Sequence, residues 1–344
     1  MSPTPPALPD LAALDDWMSR PSDALVAFVA SLDGPLVVLG AGGKMGPSLC
    51  ALARRAADEA GRDLEVVAVS RFSDPDARRW LDDRGVRTQA CDLLTDDLSG
   101  LPDAENVVYL VGLKFGTQQA PARTWAVNTL VPARVTERYA GARITALSSG
   151  NVYPLVPVES GGSTEDGALT PLGEYANACV ARERLFQYAS ERWGTPGVLV
   201  RLNYAADLRY GVLVDLARTV AERRPVHVEM GYLNCIWQRD ANDAVIRSLA
   251  LAETPMPALN LTGPDRLSVR ELATRLGSLM DVPVTIVGEE APTALLSDVS
   301  RMVDTLGAPE TPLDVVLRWT ADWVARDQPT LGKPTHFEVR DGRY

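Results

Sequence analysis

At 344 residues, with 46% hydrophobic and 23% charged side chains, the chain is long enough to bury one large core or two closely packed ones. Its formal net charge of −11, uninterrupted by any cluster of Lys and Arg, argues against nucleic acid and anionic membrane as partners. The opening MSPTPPALPD has no secretory pattern, no run approaches the roughly 18 to 20 apolar residues of a spanning helix, and Cys50, Cys91, Cys179 and Cys235 show no metal-ligand spacing, so a cytoplasmic protein with reduced thiols and no structural zinc is expected.

Residues 9–32 carry Leu11, Leu14, Trp17, Val26, Phe28 and Val29 at helical spacing with a break at Pro21. They predict two short helices, an amino-terminal extension over residues 1–33 packed outside the core. From Pro35 short apolar runs alternate with helical patterns: LVVL at 36–39, VVAV at 66–69, VVYLV at 107–111, ITAL at 144–147 and VLVRL at 198–202. That rhythm predicts an α/β fold with a Rossmann-type, doubly wound parallel sheet over residues 34–203, joined again by residues 234–252. A smaller α/β carboxy-terminal substrate domain is expected from 204–233 and 253–331. It includes a helix capped by Ser268, with Glu271 three residues on. The tail, 332–344, has no periodicity; its Phe337 and Tyr344 are the residues that would dock it.

Directly after the first strand comes Gly40-Ala41-Gly42-Gly43-Lys44-Met45-Gly46, with glycines at i, i+3 and i+6 before a helix. Gly40 permits the tight turn, Gly43 lets backbone approach a pyrophosphate, and Gly46 allows close helix packing. The helix amino terminus supplies N–H donors through Met45 and its neighbours. The second strand ends in Ser70-Arg71 rather than in the acid that would bind the ribose of NAD. Arg71 has the fork to hold a 2′-phosphate and Lys44 adds a second charge, so NADP is expected ahead of NAD.

With these, further segments resemble the extended short-chain dehydrogenase/reductase family, the class of NAD(P)-dependent epimerases and dehydratases. Cys91-Asp92-Leu93 resembles its acidic-aliphatic pair at the adenine, Leu110-Val111-Gly112 its strand end along the cofactor, and Asn128 a helix asparagine that supports the active site. Ser148-Ser149-Gly150-Asn151-Val152-Tyr153 resembles its serine-rich strand end, Thr164-Glu165, Pro171 and Tyr175 the approach to its tyrosine, and residues 260–272 its substrate-domain strand and helix. The resemblance implies that Ser149 holds the reacting oxygen and Tyr175 moves its proton.

One departure stands out. The family places lysine four residues after the tyrosine, and Cys179 stands there instead. A neutral thiol cannot replace an ammonium, and tyrosine titrates near pH 10, so each unit of lost pKa depression costs about 1.4 kcal/mol. Three readings follow. Of the three lysines in the chain, Lys114 follows a strand end that should face the cleft, and it supplies the charge; Cys179 itself is the acid/base; or the chain binds NADP without turnover, as a redox sensor or scaffold. The expected function is an NAD(P)-dependent oxidoreductase or epimerase passing hydride to or from a sugar, sugar acid or similar polyhydroxylated small molecule. Asn151, Asn203, Arg209 and Tyr210 are substrate-binding candidates, Arg209 for a carboxylate, and a homodimer is possible.

Overall fold

β-branched runs bounded by glycine turns become strands when both faces can be covered, and here every expected run does so. The computed structural model describes residue 5 and residues 7–114 and 116–343. Helices α1 (Leu11–Met18) and α2 (Asp23–Ala30) come first, each capped by the side chain before it: Asp10 accepts from the Ala13 amide and Ser22 from the Leu25 amide, both at 2.9 Å. Then follow β1 (Leu36–Leu39), α3 (Gly46–Glu59), β2 (Val66–Ser70), α4 (Pro75–Asp82), β3 (Arg87–Ala90), β4 (Asn106–Tyr109), α5 (Pro121–Arg138), β5 (Arg143–Ser149), α6 (Gly173–Trp193) and β6 (Gly197–Leu202). Helices α7 (Val212–Ala221) and α8 (Gln238–Arg247) precede β7 (Ala258–Leu261), and α9 (Val269–Met280), α10 (Ser300–Leu306) and α11 (Leu313–Ala325) end the chain's regular structure.

The seven strands, numbered along the main sheet only, run 7-6-5-4-1-2-3, and every pairing is parallel. Order reverses between β1 and β4, where an open sheet of this kind binds ligands beyond its carboxyl ends. One face is covered by α2, α3 and α8 through Leu25, Leu49, Leu52 and Val245, the other by α5 and α6 through Val131, Val135 and Phe186. A second core joins α7, α9 and α11 around Leu216, Leu272 and Trp323, and it belongs to the smaller lobe.

Two expectations are corrected, and one strand was missed. The extension is not peripheral: Leu14 and Met18 of α1 are fully buried in the smaller lobe's core, and Leu25 and Val29 of α2 in that of the sheet. Residues 258–261, expected in the substrate domain, form the edge strand beside β6, because the chain returns to the sheet after α8. Strand β3 was not anticipated, since RTQA has no apolar run and lies at the opposite edge. Among the described residues no helix is long and apolar enough to cross a membrane.

Candidate active site

Glycine is required at the β1–α3 turn for reasons visible atom by atom. Gly40 has φ +85°, and a Cβ there would lie 2.9 Å from Val111. A Cβ on Gly46 would lie 2.2 Å from the Ala41 carbonyl oxygen, so only glycine lets α3 begin this close to the turn. Gly42, which the i, i+3, i+6 pattern passed over, faces Ser70 Oγ at 2.6 Å from a Cβ. The first-turn amides of the fourteen-residue α3 thus open onto a backbone cradle that fits a pyrophosphate.

The cradle separates two halves of one cleft, both lined by Gly40, Gly43, Leu110 and Gly112. One half, about 270 Å³, is walled by Ser70, Arg71, Asp92, Leu93 and Val111. Asp92 accepts from the Leu94 amide at 3.0 Å, which fixes its loop. Asn128 is fully buried; it donates to the Leu113 and Thr124 carbonyls and accepts from the Leu113 amide, bracing the strand end. The other half, about 370 Å³, gathers Lys44, Met45, Lys114, Ser149, Asn151, Tyr175, Asn203 and Tyr210. Lys44 therefore lies on the opposite side of the cradle from Arg71, with its ammonium 3.2 Å from the centre of the Tyr210 ring.

At the head of this second half Ser149 Oγ donates to Asn151 Oδ1 at 3.0 Å and accepts from the Asn151 amide. Tyr175 lines the same half as Ser149, and Cys179 packs with it on α6. Burial pushes the Tyr175 phenol well above its ordinary value, and the neighbouring Cys179 adds to the rise. The Arg182 guanidinium and the Ser149 hydroxyl oppose it. Cys179 is fully buried and its thiol is also pushed up by burial.

Arg182 was not foreseen. It lies one turn beyond Cys179 on the same face of α6, 3% exposed, donating to the Leu147 carbonyl at 2.7 Å, to Asn128 Oδ1, and to Cys179 Sγ at 3.6 Å. No carboxylate pairs with it among the described residues. The run Tyr175, Cys179, Arg182, Phe186 at i, i+4, i+7, i+11 was the available signal, since an arginine on a buried stripe needs a purpose. Behind it, Arg201 donates to Glu183 through Nε and Nη2, at 3.0 and 2.8 Å, and Glu183 accepts from Ser148 at 2.5 Å. That buried pair anchors the serine strand to α6.

Lys114 lies in the cavity wall, with Nζ 3.5 Å from the Thr335 carbonyl; burial lowers its pKa to about 8, against the pull of Cys179 and Glu338. Arg209 is not brought to the cavity. Its guanidinium grips Asp207 (2.7 Å) and Asp15 of α1 (2.8 Å), so the expected substrate carboxylate would meet an arginine already paired twice. Asn203, which lines the cavity, donates to Asn234 and to the Leu295 carbonyl.

A parallel sheet with a glycine cradle, and a serine and tyrosine lining one cavity beyond it, defines a dinucleotide-dependent enzyme of the extended short-chain dehydrogenase/reductase class. The chain belongs to the NAD dependent epimerase/dehydratase family, whose model matches residues 36–207. Its fold is similar to that of UDP-glucuronic acid 4-epimerase from Bacillus cereus in complex with NAD (18% identity, TM-score 0.70, covering 85% of this chain and 99% of that one). It is also similar to MoeE5 in complex with UDP-glucuronic acid and NAD (22%, 0.69, 86% and 100%), and to UDP-glucose 4-epimerase with UDP-glucose from Thermotoga maritima (15%, 0.68, 85% and 99%). No curated protein matches the sequence.

Proposed function

We propose that the chain is an NADP(H)-dependent oxidoreductase or epimerase of a sugar or sugar acid. The observation that carries this reading is that Ser149 and Tyr175 line one cavity together with the glycine cradle. Gly40, Gly43, Gly46 and the α3 amides would hold the cofactor's phosphates, and Arg71 a 2′-phosphate. When bound, the nicotinamide supplies or accepts hydride. Ser149 Oγ donates to the substrate oxygen on the carbon that gains or loses hydride. Tyr175 gives that oxygen its proton on reduction and removes it on oxidation. Arg182 and Lys114 provide the positive charge that the missing family lysine would have given, Arg182 from behind Tyr175 and Lys114 from the cavity wall. The UDP-sugar ligands named for the similar folds support a sugar as substrate.

The test has two arms. NADPH should bind the native protein more tightly than NADH, and Arg71→Ala should weaken NADPH selectively, by the roughly 1.5 to 3 kcal/mol of one charge-assisted contact. Tyr175→Phe should abolish turnover across a panel of sugars and sugar acids while NADPH still binds. Equal cofactor affinities refute the NADP assignment, and a native protein that binds NADPH but turns over no member of the panel favours a sensor or scaffold. We also propose a homodimer through α5 and α6, where Trp125, Leu130, Tyr188 and Trp193 are exposed; a monomeric mass by light scattering would exclude it.

A further inference from the structure

Residues 331–343 carry no periodic pattern, yet the fold ties them down along their whole path. Leu331 donates its amide to the Arg209 carbonyl at 2.8 Å. Asp215 of α7 accepts from both the amide and the hydroxyl of Thr335, at 2.7 and 2.6 Å, and Phe337 is buried in the smaller lobe's core. Arg340 then donates to the Thr293 carbonyl and hydroxyl, at 2.8 and 2.7 Å, and to the Glu229 carbonyl at 3.2 Å. The path ends on the other lobe. Gly342 and Gly173 both have positive φ, +75° and +78°, and their backbones meet. A Cβ on Gly342 would lie 2.2 Å from the Leu172 carbonyl oxygen, and one on Gly173 would lie 2.2 Å from the Gly342 carbonyl oxygen. Glycine on both sides allows this clasp, and it is made at the first residue of α6, the helix that carries Tyr175.

The tail's course shapes the cavity that holds Ser149 and Tyr175. Thr335 stands in its wall. Lys333, Pro334, Phe337 and Glu338 border instead a second cavity, also about 370 Å³, which has Tyr210 in common with the first. The tail therefore divides the cleft into an inner and an outer space. On the inner side the sheet lobe offers the cofactor cradle, Gly40, Gly43 and Gly46, so any part of a substrate beyond the reacting sugar would be held against the smaller lobe. There the tail has already taken the polar groups: the Asp215 carboxylate, the Glu229 carbonyl, and the Thr293 carbonyl and hydroxyl. The inner cavity, about 370 Å³, is near the lower end of the roughly 300 to 1,000 Å³ of ligand pockets, and the nicotinamide has to share it. One sugar ring fills what is left.

We propose that the tail sets the size of the substrate: it admits an unconjugated monosaccharide or its acid and excludes a sugar that carries a nucleoside diphosphate. Thr335 is the wall, Asp215 and Arg340 hold the strap that carries it, and the Gly173–Gly342 clasp fixes the far end. Exclusion of this kind works by occupying the competitor's space rather than by better contacts to the preferred ligand. The inference rests on the reading of the cleft as an NADP-dependent active site and adds the extent of the substrate. It separates this chain from the proteins of similar fold that bind UDP-glucose and UDP-glucuronic acid.

Calorimetric titration of the NADP-loaded full chain tests it, with glucose and glucuronate compared against UDP-glucose and UDP-glucuronate. Each UDP conjugate should bind about tenfold or more weakly than its free sugar. Two variants open the wall. One is a chain ending at Gly332; the other is the full chain with Asp215→Ala and Arg340→Ala, which keeps Phe337 in the core should the shortened chain not fold. In a folded variant UDP-glucuronate should bind about tenfold or more tightly than in the native protein, with NADPH affinity unchanged. The proposal is overturned if the native protein binds a UDP conjugate as tightly as the free sugar, or if opening the wall leaves UDP-glucuronate binding as it was. Where the native protein recognises neither probe sugar, the gain in the opened variants decides. If the native protein binds no NADPH, or binds free sugars without hydride transfer, the proposed function falls instead, and the same titrations still decide the size limit.

Discussion

Arg182 occupies a position in which a cation is costly unless it does something for its neighbours, because burial without a carboxylate partner removes its hydration. Acting on Tyr175 through charge and not through contact with substrate, it is a positioning residue. Arg182→Met should move the basic limb of the pH–rate profile upward and lower the neutral-pH rate, with Arg182→Lys restoring part of both. If Arg182→Met leaves the profile in place and Lys114→Met shifts it, the charge comes from the cavity wall. Cys179→Ser should be nearly silent in either case, because the thiol is held protonated by burial.

The two lysines with lowered pKa make a second prediction, with a definite sign. Lys44 at about 7 and Lys114 at about 8 lie below the ordinary value of 10.5. The unfolded chain therefore binds more protons than the folded one from about pH 7 up to about 10.5, and each lysine makes stability rise with pH across that window. Buried thiols such as Cys50 and Cys235 act the other way above about pH 8.5, since folding keeps them protonated. The measurable quantity is the difference between native and variant: urea midpoints of Lys44→Met should exceed native most at pH 6.5 and converge with it by pH 10. A constant difference would show that the Lys44 charge is not destabilised in the fold.

At the scale of elements, the β1–α3 turn is the least tolerant segment. Gly46→Ala puts a methyl against the Ala41 carbonyl, backbone against backbone, and should abolish NADPH binding at a stability cost of about 1 to 3 kcal/mol. Gly42→Ala meets only the Ser70 side chain, so pairing it with Ser70→Ala should recover much of the loss. Most of this turn was legible in the sequence, because Gly40, Gly43 and Gly46 with the flanking strand and helix point to one geometry, whereas the need for Gly42 appears only once Ser70 is packed beside it. The family resemblance picked out Ser149 and Tyr175, which the fold brings to one cavity. Strand β3 was not legible, because an edge strand needs no apolar pattern. Strand β7 was assigned to the wrong lobe, because a run such as ALNL does not say which sheet it joins. Arg209 misled for a related reason: its chemistry suits a carboxylate, and Asp15, nearly two hundred residues earlier, supplies one.

Across the whole molecule, the segments at either end are what join the lobes. Helix α1 lies in the smaller lobe's core, α2 in that of the sheet, and the Asp15–Arg209 pair ties the first helix to the loop leading into α7. Trp319 of α11 is 1% exposed and packs against Trp17 and Trp237, so Trp319→Ala should cost about 3 to 5 kcal/mol and loosen α1 with it. Thermal melts followed by limited proteolysis between α1 and α2 would show both effects. Unchanged melting would mean that the extension is dispensable to the fold.

Those three indoles have an optical consequence. Trp17 and Trp319 lie edge to face with centroids 5.7 Å apart, and Trp237 stands 5.6 Å from Trp319 at 59°. Chromophores this close, fixed and mutually tilted exchange excitation, and in a chiral setting they give paired bands of opposite sign in circular dichroism. The three rings come from α1, the residue before α8, and α11, so the signal exists only while three distant stretches of chain are assembled. The protein thus carries its own spectroscopic gauge of lobe docking, and adding cofactor to the native chain should leave those bands intact if the lobes already stand in their working arrangement.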